Sequence, residues 1–343
     1  MAIDVVDQVL DIFDDEPETP IYVYHEIVHN KHVVDRFRGR GVRFVESLEG
    51  LPRGAIVVFS AHGIPPQLKA EAEERGLQWI DATCPLVTKV HAEASRYARK
   101  GFQVLLVGHE DHQEVIGTRG EAPDATIVVE SAEDARRIEV DDPDKIVYLT
   151  QTTLSTDDAA DIIGALKARF PNITEPKSET ICYATTNRQQ AVRELASGCD
   201  LVLVVGSKNS SNSVRLTEIA QNLGVPGVLV DDVGDVDWSW FESKSYSDKP
   251  ATEMRVLVTA GASAPEDLVA GLVRKLIERY DGKLLLGEVI EEDVEFGMPL
   301  TLRKVLRARG HDLGLRKVRV RPPEVTEDVY GAVPLTLGGE PLG

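Results

Sequence analysis

The stretch LQWIDATCPLVTKVH, residues 77–91, contains in order a short apolar run, a small polar loop and the start of a helical pattern. The run LQWI lacks a regular alternation of polar and apolar residues, which is typical of a strand buried on both faces. Pro85 follows the loop directly, and proline is favoured at the first position of a helix. The stretch therefore predicts a strand, a turn and a helix, the repeating unit of parallel α/β proteins.

The same succession recurs along most of the chain. Apolar runs such as IVVF (56–59), FQVLLV (102–107) and LVLVV (201–205) predict further buried strands, and segments with helical periodicity separate them. Strands and helices that alternate over this length predict a parallel α/β fold. Beyond residue 310 the pattern weakens, and the Gly- and Pro-rich end VPLTLGGEPLG predicts a loosely ordered tail.

Composition narrows the class of protein. The chain has 343 residues, of which 42% are hydrophobic and 28% charged, and its net charge is −19. Such acidity argues against nucleic acid or an anionic membrane as the main partner. No apolar run in the sequence approaches the roughly 18 residues that a membrane span requires, and residues 1–20 are too acidic for a signal peptide. We therefore expect a cytoplasmic protein.

Polar loops of similar composition follow six of the predicted strands. They are HEIVHN (25–30), SAHGIP (60–65), GHEDHQE (108–114), TQTTLS (150–155), GSKNSSNS (206–213) and TAGASAPE (259–266). Ligands bind at the carboxyl ends of strands in open parallel sheets, and helices that begin there offer backbone N–H groups to an anion. Taken singly, each loop is explained as well by helix capping, because Ser and Asn are good N-caps. Together the loops predict a phosphate-binding pocket that relies on neutral hydrogen-bond donors.

Histidines and one glutamate in these loops are candidates for binding and proton transfer. His29, His62, His109 and His112 all fall at predicted strand ends. Glu114 follows His112 by two residues, close enough for both side chains to face one pocket. A shielded carboxyl can have its pKa raised into a useful range, so Glu114 is the natural proton carrier.

The remaining histidines receive no catalytic role. His91 lies on the predicted helix two turns after Cys84, and we interpret it as a packing or capping residue. No function is assigned to His25, His32 or His311.

The three cysteines are Cys84, Cys182 and Cys199. An odd, sparse set without a CxxC pair predicts neither a disulfide framework nor a zinc site. Cys84 and Cys182 each follow a strand-like segment at the start of a predicted helix, where the partial positive charge of the helix N-terminus favours the metal-binding thiolate. Cysteines are also common core residues, which is the alternative for these two and our expectation for Cys199.

Eight short motifs occur along the chain in a fixed order. They are EIVHN, FSAHGIP, DATCPLVTKVH, GHEDHQEVIGT, QTTLS, TICYATTNRQ, VGSKNSSNS and TAGASAPE. In this order, over about residues 1–300, the chain resembles the 4-hydroxy-3-methylbut-2-enyl diphosphate reductase family, also called IspH or LytB. Eight ordered motifs are far more specific than any single pattern.

The resemblance implies an architecture and a cofactor. The expected fold is α/β, with three small parallel-sheet units in a pseudo-threefold arrangement around a central [4Fe–4S] cluster and substrate pocket. These units would span residues 1–83, 84–180 and 181–300, followed by a partly disordered C-terminal tail at 301–343. The family holds its cluster through three cysteines and leaves one iron open to the hydroxyl oxygen of the substrate.

The resemblance also implies a reaction and its partners. The family reduces 4-hydroxy-3-methylbut-2-enyl diphosphate to isopentenyl and dimethylallyl diphosphate, in the last step of the non-mevalonate isoprenoid pathway. Two electrons and two protons remove the substrate hydroxyl as water. The expected electron donor is a ferredoxin or flavodoxin, and neither nucleic acid nor a membrane is expected as a partner.

Site residues carry over by position within the motifs. Cys84 and Cys182 would be cluster ligands, and Glu114 would relay protons. The substrate would be held by His29, His62, His112, Thr152, Ser210, Ser211, Asn212 and Ser263. Thr152 would line the substrate, and the other seven would hold its diphosphate.

The resemblance departs at the front of the chain. Family members begin with a strand and a loop containing a glycine-flanked cysteine, and residues 1–13 resemble the helix that follows. The sequence therefore predicts that the N-terminal strand and first cluster-cysteine loop are missing, because the start lies downstream of the true one. The alternative is a catalytically impaired, diphosphate-binding family member that lacks the third cluster cysteine. A phosphatase or isomerase is disfavoured, since the sequence offers no activated nucleophile or carboxylate metal cage.

Overall fold

A computed structural model of the chain describes residues 1–13, 19–242, 246–287, 294–308, 310, 317–320 and 335–336. The strands are β1 (Ile21–Tyr24), β2 (Arg43–Val45), β3 (Ile56–Phe59), β4 (Gln78–Asp81), β5 (Gln103–Val107), β6 (Thr126–Val129), β7 (Ile146–Thr150), β8 (Leu201–Val205), β9 (Gly227–Val230), β10 (Val256–Ala260), β11 (Leu284–Leu285), β12 (Val294–Gly297), β13 (Lys317–Val320) and β14 (Leu335–Thr336). The α-helices are α1 (Ala2–Ile12), α2 (Lys31–Gly39), α3 (Pro66–Glu74), α4 (Pro85–Ala98), α5 (Gln113–Gly120), α6 (Ala132–Arg137), α7 (Thr156–Arg169), α8 (Tyr183–Leu195), α9 (Ser211–Asn222), α10 (Ser239–Glu242), α11 (Glu266–Tyr280) and α12 (Leu300–Ala308). Short 3₁₀ helices lie at Ala196–Gly198, Val233–Asp235 and Ala251–Glu253.

Three parallel sheets confirm the predicted α/β class. Their strand orders are β2-β1-β3-β4, β6-β5-β7 and β10-β8-β9. Each interstrand ladder in these sheets is parallel. Strands β3, β7 and β8 are buried at every position, because helices cover both faces of a parallel sheet. This burial explains why their sequences are continuous apolar runs.

The chain divides into two compact units. The larger unit comprises Met1–Val28, Val33–Cys182 and Glu295–Arg319, and the smaller comprises His29–His32, Tyr183–Val294 and Val320–Gly343. The sheets of β1–β4 and β5–β7 belong to the larger unit, and the sheet of β8–β10 belongs to the smaller one. Each of the three units predicted from the sequence thus contains one of these three sheets, and their boundaries and pseudo-threefold arrangement stay predictions.

The first helix and the beginning of the predicted tail pack into one core. Val5, Val6 and Val9 of α1 are fully buried, as the helical spacing of apolar residues in this segment requires. Leu302 and Leu306 of α12 are buried in the same cluster, so the predicted tail begins with a packed helix. Most of the tail beyond it, including His311, lies outside the described residues.

A helix that spans a membrane must be both long and apolar. Among the helices in the described ranges, none is both long and apolar enough to cross a membrane.

Candidate functional site

Predicted site residues of the larger unit follow the carboxyl ends of its strands. His62 follows β3 and Cys84 follows β4, whose last residues are paired across the sheet. His112 and Thr152 follow β5 and β7, which are neighbours in the second sheet. Parallel strands end on the same edge of a sheet, so each pair is brought to a common edge.

Glu114 and Thr152 form a buried hydrogen-bonded pair. The glutamate side chain is 2% exposed, and it lies in the first turn of α5. Its Oε1 accepts a hydrogen bond from the Thr152 backbone N–H at 2.5 Å, and its Oε2 accepts one from Thr152 Oγ1 at 2.8 Å. Burial raises the pKa of Glu114 to about 7, although the two Thr152 donors act in the opposite direction. The carboxyl can therefore hold or release a proton near neutral pH.

His62 and His112 lie next to each other. Their ring centroids are 6.0 Å apart, and the rings are nearly perpendicular at 87°. His112 is the N-cap residue of α5, and its Nδ1 accepts a hydrogen bond from the Glu114 backbone N–H at 3.2 Å. A neutral imidazole that accepts at Nδ1 carries its proton on Nε2, so His112 presents a donor on its other side. The role of both histidines in diphosphate binding stays a prediction.

The cysteine loops are tied to the loops that carry these residues. The Cys84 backbone N–H donates to the Ala61 carbonyl at 2.9 Å, next to His62. The Cys182 backbone N–H donates to the Thr152 carbonyl at 3.0 Å. Both thiols are partly buried and free of disulfides. The two strand-end loops therefore fix where the two cysteines lie.

The Cys84 thiol is less acidic than its position at a helix N-terminus alone would make it. Cys84 is the N-cap residue of α4, as predicted. Burial nevertheless raises the pKa of its thiol, and this effect exceeds the opposing effect of the Leu86 and Val87 amides. The Leu86 and Val87 amides at the helix N-terminus favour the thiolate, as predicted, but desolvation disfavours this charged form more strongly. Binding of a metal would itself deprotonate the thiol.

Cysteine donors fit only part of the implied cluster site. Cys84 and Cys182 lie in the larger unit, and they are the two thiols predicted to be cluster ligands. Cys199 lies in the smaller unit, where its S–H donates to the Leu195 carbonyl at 3.3 Å. It is partly exposed, so the prediction that it is a core residue is wrong. Within the described part of the chain, no group of three or more His, Cys, Asp or Glu side chains is arranged to hold a metal ion.

The smaller unit contains a cluster of neutral donors at the start of α9. Ser210 is the N-cap residue, and Ser211 is the first residue of the helix. Asn212 is 3% exposed, and its Oδ1 accepts a hydrogen bond from the Ala262 backbone N–H at 2.9 Å. Its Nδ2 is buried without a hydrogen-bond partner. A buried amide donor without a partner is costly, which is consistent with a place for an acceptor ligand.

Hydrogen bonds attach the segment that contains His29 to neighbouring loops of the smaller unit. Its carbonyl accepts a hydrogen bond from Ser263 Oγ at 3.0 Å. Ser207 Oγ accepts from the Lys31 backbone N–H at 3.2 Å and donates to Asp231 Oδ1 at 2.5 Å. These contacts attach the segment His29–His32 to the loops after β8, β9 and β10.

Sequence reasoning missed Asp231, Asp232 and His32 in this attachment. His32 Nε2 lies 3.0 Å from Asp232 Oδ2, so a histidine that received no function contacts an aspartate beside the segment. The signal was present in the sequence, because the two aspartates directly follow β9 and obey the same strand-end rule as the six polar loops.

Two further residues organise loops of the larger unit. Gln151 is buried, accepts from the His109 backbone N–H at 3.1 Å and donates to Thr153 Oγ1 at 2.8 Å. His91 is buried with its Nδ1 3.1 Å from Glu121 Oε1, in accord with its predicted packing role. Gln151 was not singled out from the sequence, since a glutamine in a polar loop gives no sign of being buried.

Comparison with known proteins agrees with the motif order. A family model described as LytB protein matches residues 1–277. The chain is similar to a 4-hydroxy-3-methylbut-2-enyl diphosphate reductase from Aromatoleum aromaticum, with 49% identity over 302 residues, covering 88% of this chain and 93% of the relative.

Solved structures agree with the fold. The structure of the E-1-hydroxy-2-methyl-but-2-enyl-4-diphosphate reductase from Plasmodium falciparum matches with a TM-score of 0.82 and 37% identity, over 90% of this chain and 94% of that one. A structure of (E)-4-hydroxy-3-methyl-but-2-enyl diphosphate reductase, the terminal enzyme of the non-mevalonate pathway, matches with a TM-score of 0.56 and 29% identity, over 81% of this chain and 95% of that one. Motif order, family model and close relatives thus agree, and the chain belongs to the LytB family.

Proposed function

We propose that this protein reduces 4-hydroxy-3-methylbut-2-enyl diphosphate to isopentenyl and dimethylallyl diphosphate. In this reaction the allylic C–O bond breaks, two electrons and two protons are taken up, and the hydroxyl leaves as water. The names of the relatives support the substrate. The observation that carries the proposal is the buried Glu114 carboxyl, whose pKa of about 7 suits proton delivery at neutral pH.

Neutral donors would bind the diphosphate. The resemblance gives this role to His29, His62, His112, Ser210, Ser211, Asn212 and Ser263. The buried, unpartnered Nδ2 of Asn212 supports this assignment, as does the beginning of α9 at Ser211, because a helix N-terminus favours an anion. Hydrogen bonds from neutral groups to a charged diphosphate are stronger than bonds between neutral groups.

Glu114 would deliver a proton to the leaving hydroxyl oxygen, and Thr152 would hold it in place. The Thr152 N–H and Oγ1 each bind one carboxyl oxygen, which fixes the plane of the carboxyl group. The Thr152 carbonyl accepts a hydrogen bond from the Cys182 N–H, so Thr152 is bonded both to the proposed proton carrier and to one cysteine. This arrangement would keep the acid oriented while its protonation state changes.

Cys84 and Cys182 would provide two of the thiolates that hold the [4Fe–4S] cluster implied by the family. When bound, the cluster would supply the two electrons, which a carrier such as a ferredoxin or flavodoxin would deliver. A cytoplasmic location belongs to the same proposal and is supported by the three cysteines, none of which forms a disulfide, as suits a reducing compartment. We further propose that the three sheets mark three units, at residues 1–83, 84–180 and 181–300.

Anaerobic reconstitution of the chain with iron and sulfide tests the proposal. We expect the chain to bind iron and to convert substrate with a chemical reductant, and Cys84→Ala and Cys182→Ala should lower both. Cys199→Ser is the matched control and should retain iron and turnover. A chain that binds inorganic pyrophosphate but neither binds iron nor converts substrate would be the diphosphate-binding alternative. The proposed reaction would then be wrong.

A further inference from the structure

Ser213 is a buried serine next to the proposed diphosphate donors. It lies in α9, three residues after Ser210, and it is fully buried. Its Oγ donates a hydrogen bond to Ser210 Oγ at 2.9 Å, and its backbone N–H lies 3.4 Å from the same oxygen. The Ser210 hydroxyl therefore accepts from two donors, both of which belong to Ser213.

These two contacts determine what the Ser210 hydroxyl can do. A serine hydroxyl has two lone pairs and one proton. When both lone pairs accept from Ser213, the proton of Ser210 must point away from Ser213. Ser210 then acts toward any ligand as a donor, which is the role that a diphosphate oxygen requires.

Two glycines leave room for the Ser213 hydroxyl in this position. A Cβ placed on Gly206 would lie 2.2 Å from Ser213 Oγ, and one placed on Gly261 would lie 2.0 Å from it. Both distances are far shorter than an allowed contact, so the hydroxyl occupies space that a side chain at either position would need. Gly206 and Gly261 directly follow β8 and β10, and the Ser213 hydroxyl is thus packed between two strand ends.

We propose that Ser213 is a positioning residue that makes Ser210 an obligatory hydrogen-bond donor to the substrate diphosphate. The inference rests on the proposed function, because Ser210 must bind the diphosphate for its orientation to matter. Ser213 itself does not touch the ligand and acts through Ser210. Its removal would free a lone pair of Ser210, and the hydroxyl could then rotate into orientations that do not donate to the anion.

A double-mutant cycle on pyrophosphate binding tests the proposal. The dissociation constant of inorganic pyrophosphate is measured by titration calorimetry on the full chain, so the readout does not depend on turnover. We expect Ser210→Ala to weaken binding about 10- to 100-fold and Ser213→Ala about five- to tenfold. The double variant should bind as Ser210→Ala does, within about twofold, because Ser213 has no effect once its target is gone.

Thr217→Val is the matched control on the same helix. Thr217 Oγ1 donates to the Ser213 carbonyl at 3.3 Å, so this variant also removes a hydroxyl from α9, but one without a bond to Ser210. It should leave pyrophosphate binding unchanged. If Ser213→Ala does not fold, Ser213→Cys provides the same test, because a thiol keeps the side chain but is a weak donor.

Two patterns would overturn the inference. Single-variant effects that multiply in the double variant, or a Ser213→Ala variant that binds like the wild type, would show that Ser213 does not act through Ser210. Wild-type protein that fails to bind pyrophosphate would instead refute the proposed diphosphate site, and the role of Ser213 with it. Either result on the Ser213 variants leaves the proposed function intact, so failure of the inference is distinguishable from failure of the proposed function.

Discussion

The candidate site residues of the two units differ in their charge and in their hydrogen bonding. In the larger unit, the Glu114 carboxyl is buried and fully bonded by Thr152, and its proton affinity is raised by desolvation. In the smaller unit, Ser210 and Asn212 are neutral, and Asn212 keeps a buried donor without a partner. The group proposed to change charge is thus held by internal hydrogen bonds, whereas Asn212, proposed to bind an anion, keeps a donor without a partner. The comparison predicts that substitution of Glu114 affects turnover and that substitution of Ser210 or Asn212 affects binding.

Replacement of Glu114 should have the largest effect. Glu114→Gln keeps the shape of the side chain and an oxygen for the Thr152 N–H, but its amide has no acidic proton to deliver. We expect turnover to fall by about 10²- to 10⁴-fold. Pyrophosphate affinity should stay within about twofold of the wild type, since the diphosphate donors are intact. A variant with turnover near that of the wild type, or one with equal losses of turnover and affinity, would remove the distinction between the units.

The pH dependence of stability provides the next test of Glu114. Its pKa in the folded protein is raised from 4.5 to about 7, so the folded state binds this proton more tightly than the unfolded state. The stabilising contribution of the protonated carboxyl is therefore fully present below about pH 4.5 and is lost as the pH rises through about 7. Relative to Glu114→Gln, the wild type should lose up to about 3 kcal/mol of unfolding free energy across this interval.

Denaturant unfolding of both proteins at a series of pH values measures this difference. Thr217→Val serves as the control, since its unfolding free energy should follow the pH profile of the wild type. Parallel profiles for the wild type and Glu114→Gln would mean that the carboxyl titrates at its ordinary pKa. A different group would then have to act as the proton carrier.

Asn212 sharpens the other half of the comparison. Asn212→Asp keeps the oxygen that accepts the Ala262 N–H, but it replaces the unpartnered Nδ2 donor by an anionic oxygen. We expect pyrophosphate binding to weaken by about 10- to 100-fold, because a donor is lost and like charges meet. Turnover at saturating substrate should change much less than in Glu114→Gln. A loss confined to turnover would contradict the assignment of Asn212 to binding.

Sequence patterns predicted the fold more completely than the site. The runs at 56–59 and 201–205 match β3 and β8 residue for residue, because strands buried on both faces must be apolar throughout. The strand-end rule also located His62, Glu114 and Ser210. It could not show that Thr152 binds both carboxyl oxygens of Glu114, or that burial outweighs the helix N-terminus at Cys84. Those properties depend on tertiary contacts between residues far apart in the chain.

The attachment of the His29–His32 segment should give the smallest effects, and two substitutions separate its parts. Ser207 is 4% exposed and binds both Lys31 N–H and Asp231, so Ser207→Ala should weaken pyrophosphate binding about three- to tenfold by loosening the segment that carries His29. The His32–Asp232 pair is about one-third exposed on both sides, and His32→Gln should cost no more than about twofold. Neither variant should change turnover at saturating substrate. Calorimetry and steady-state kinetics check both, and a larger loss in His32→Gln than in Ser207→Ala would mean that the His32–Asp232 contact, and not the buried Ser207 hydroxyl, orients His29.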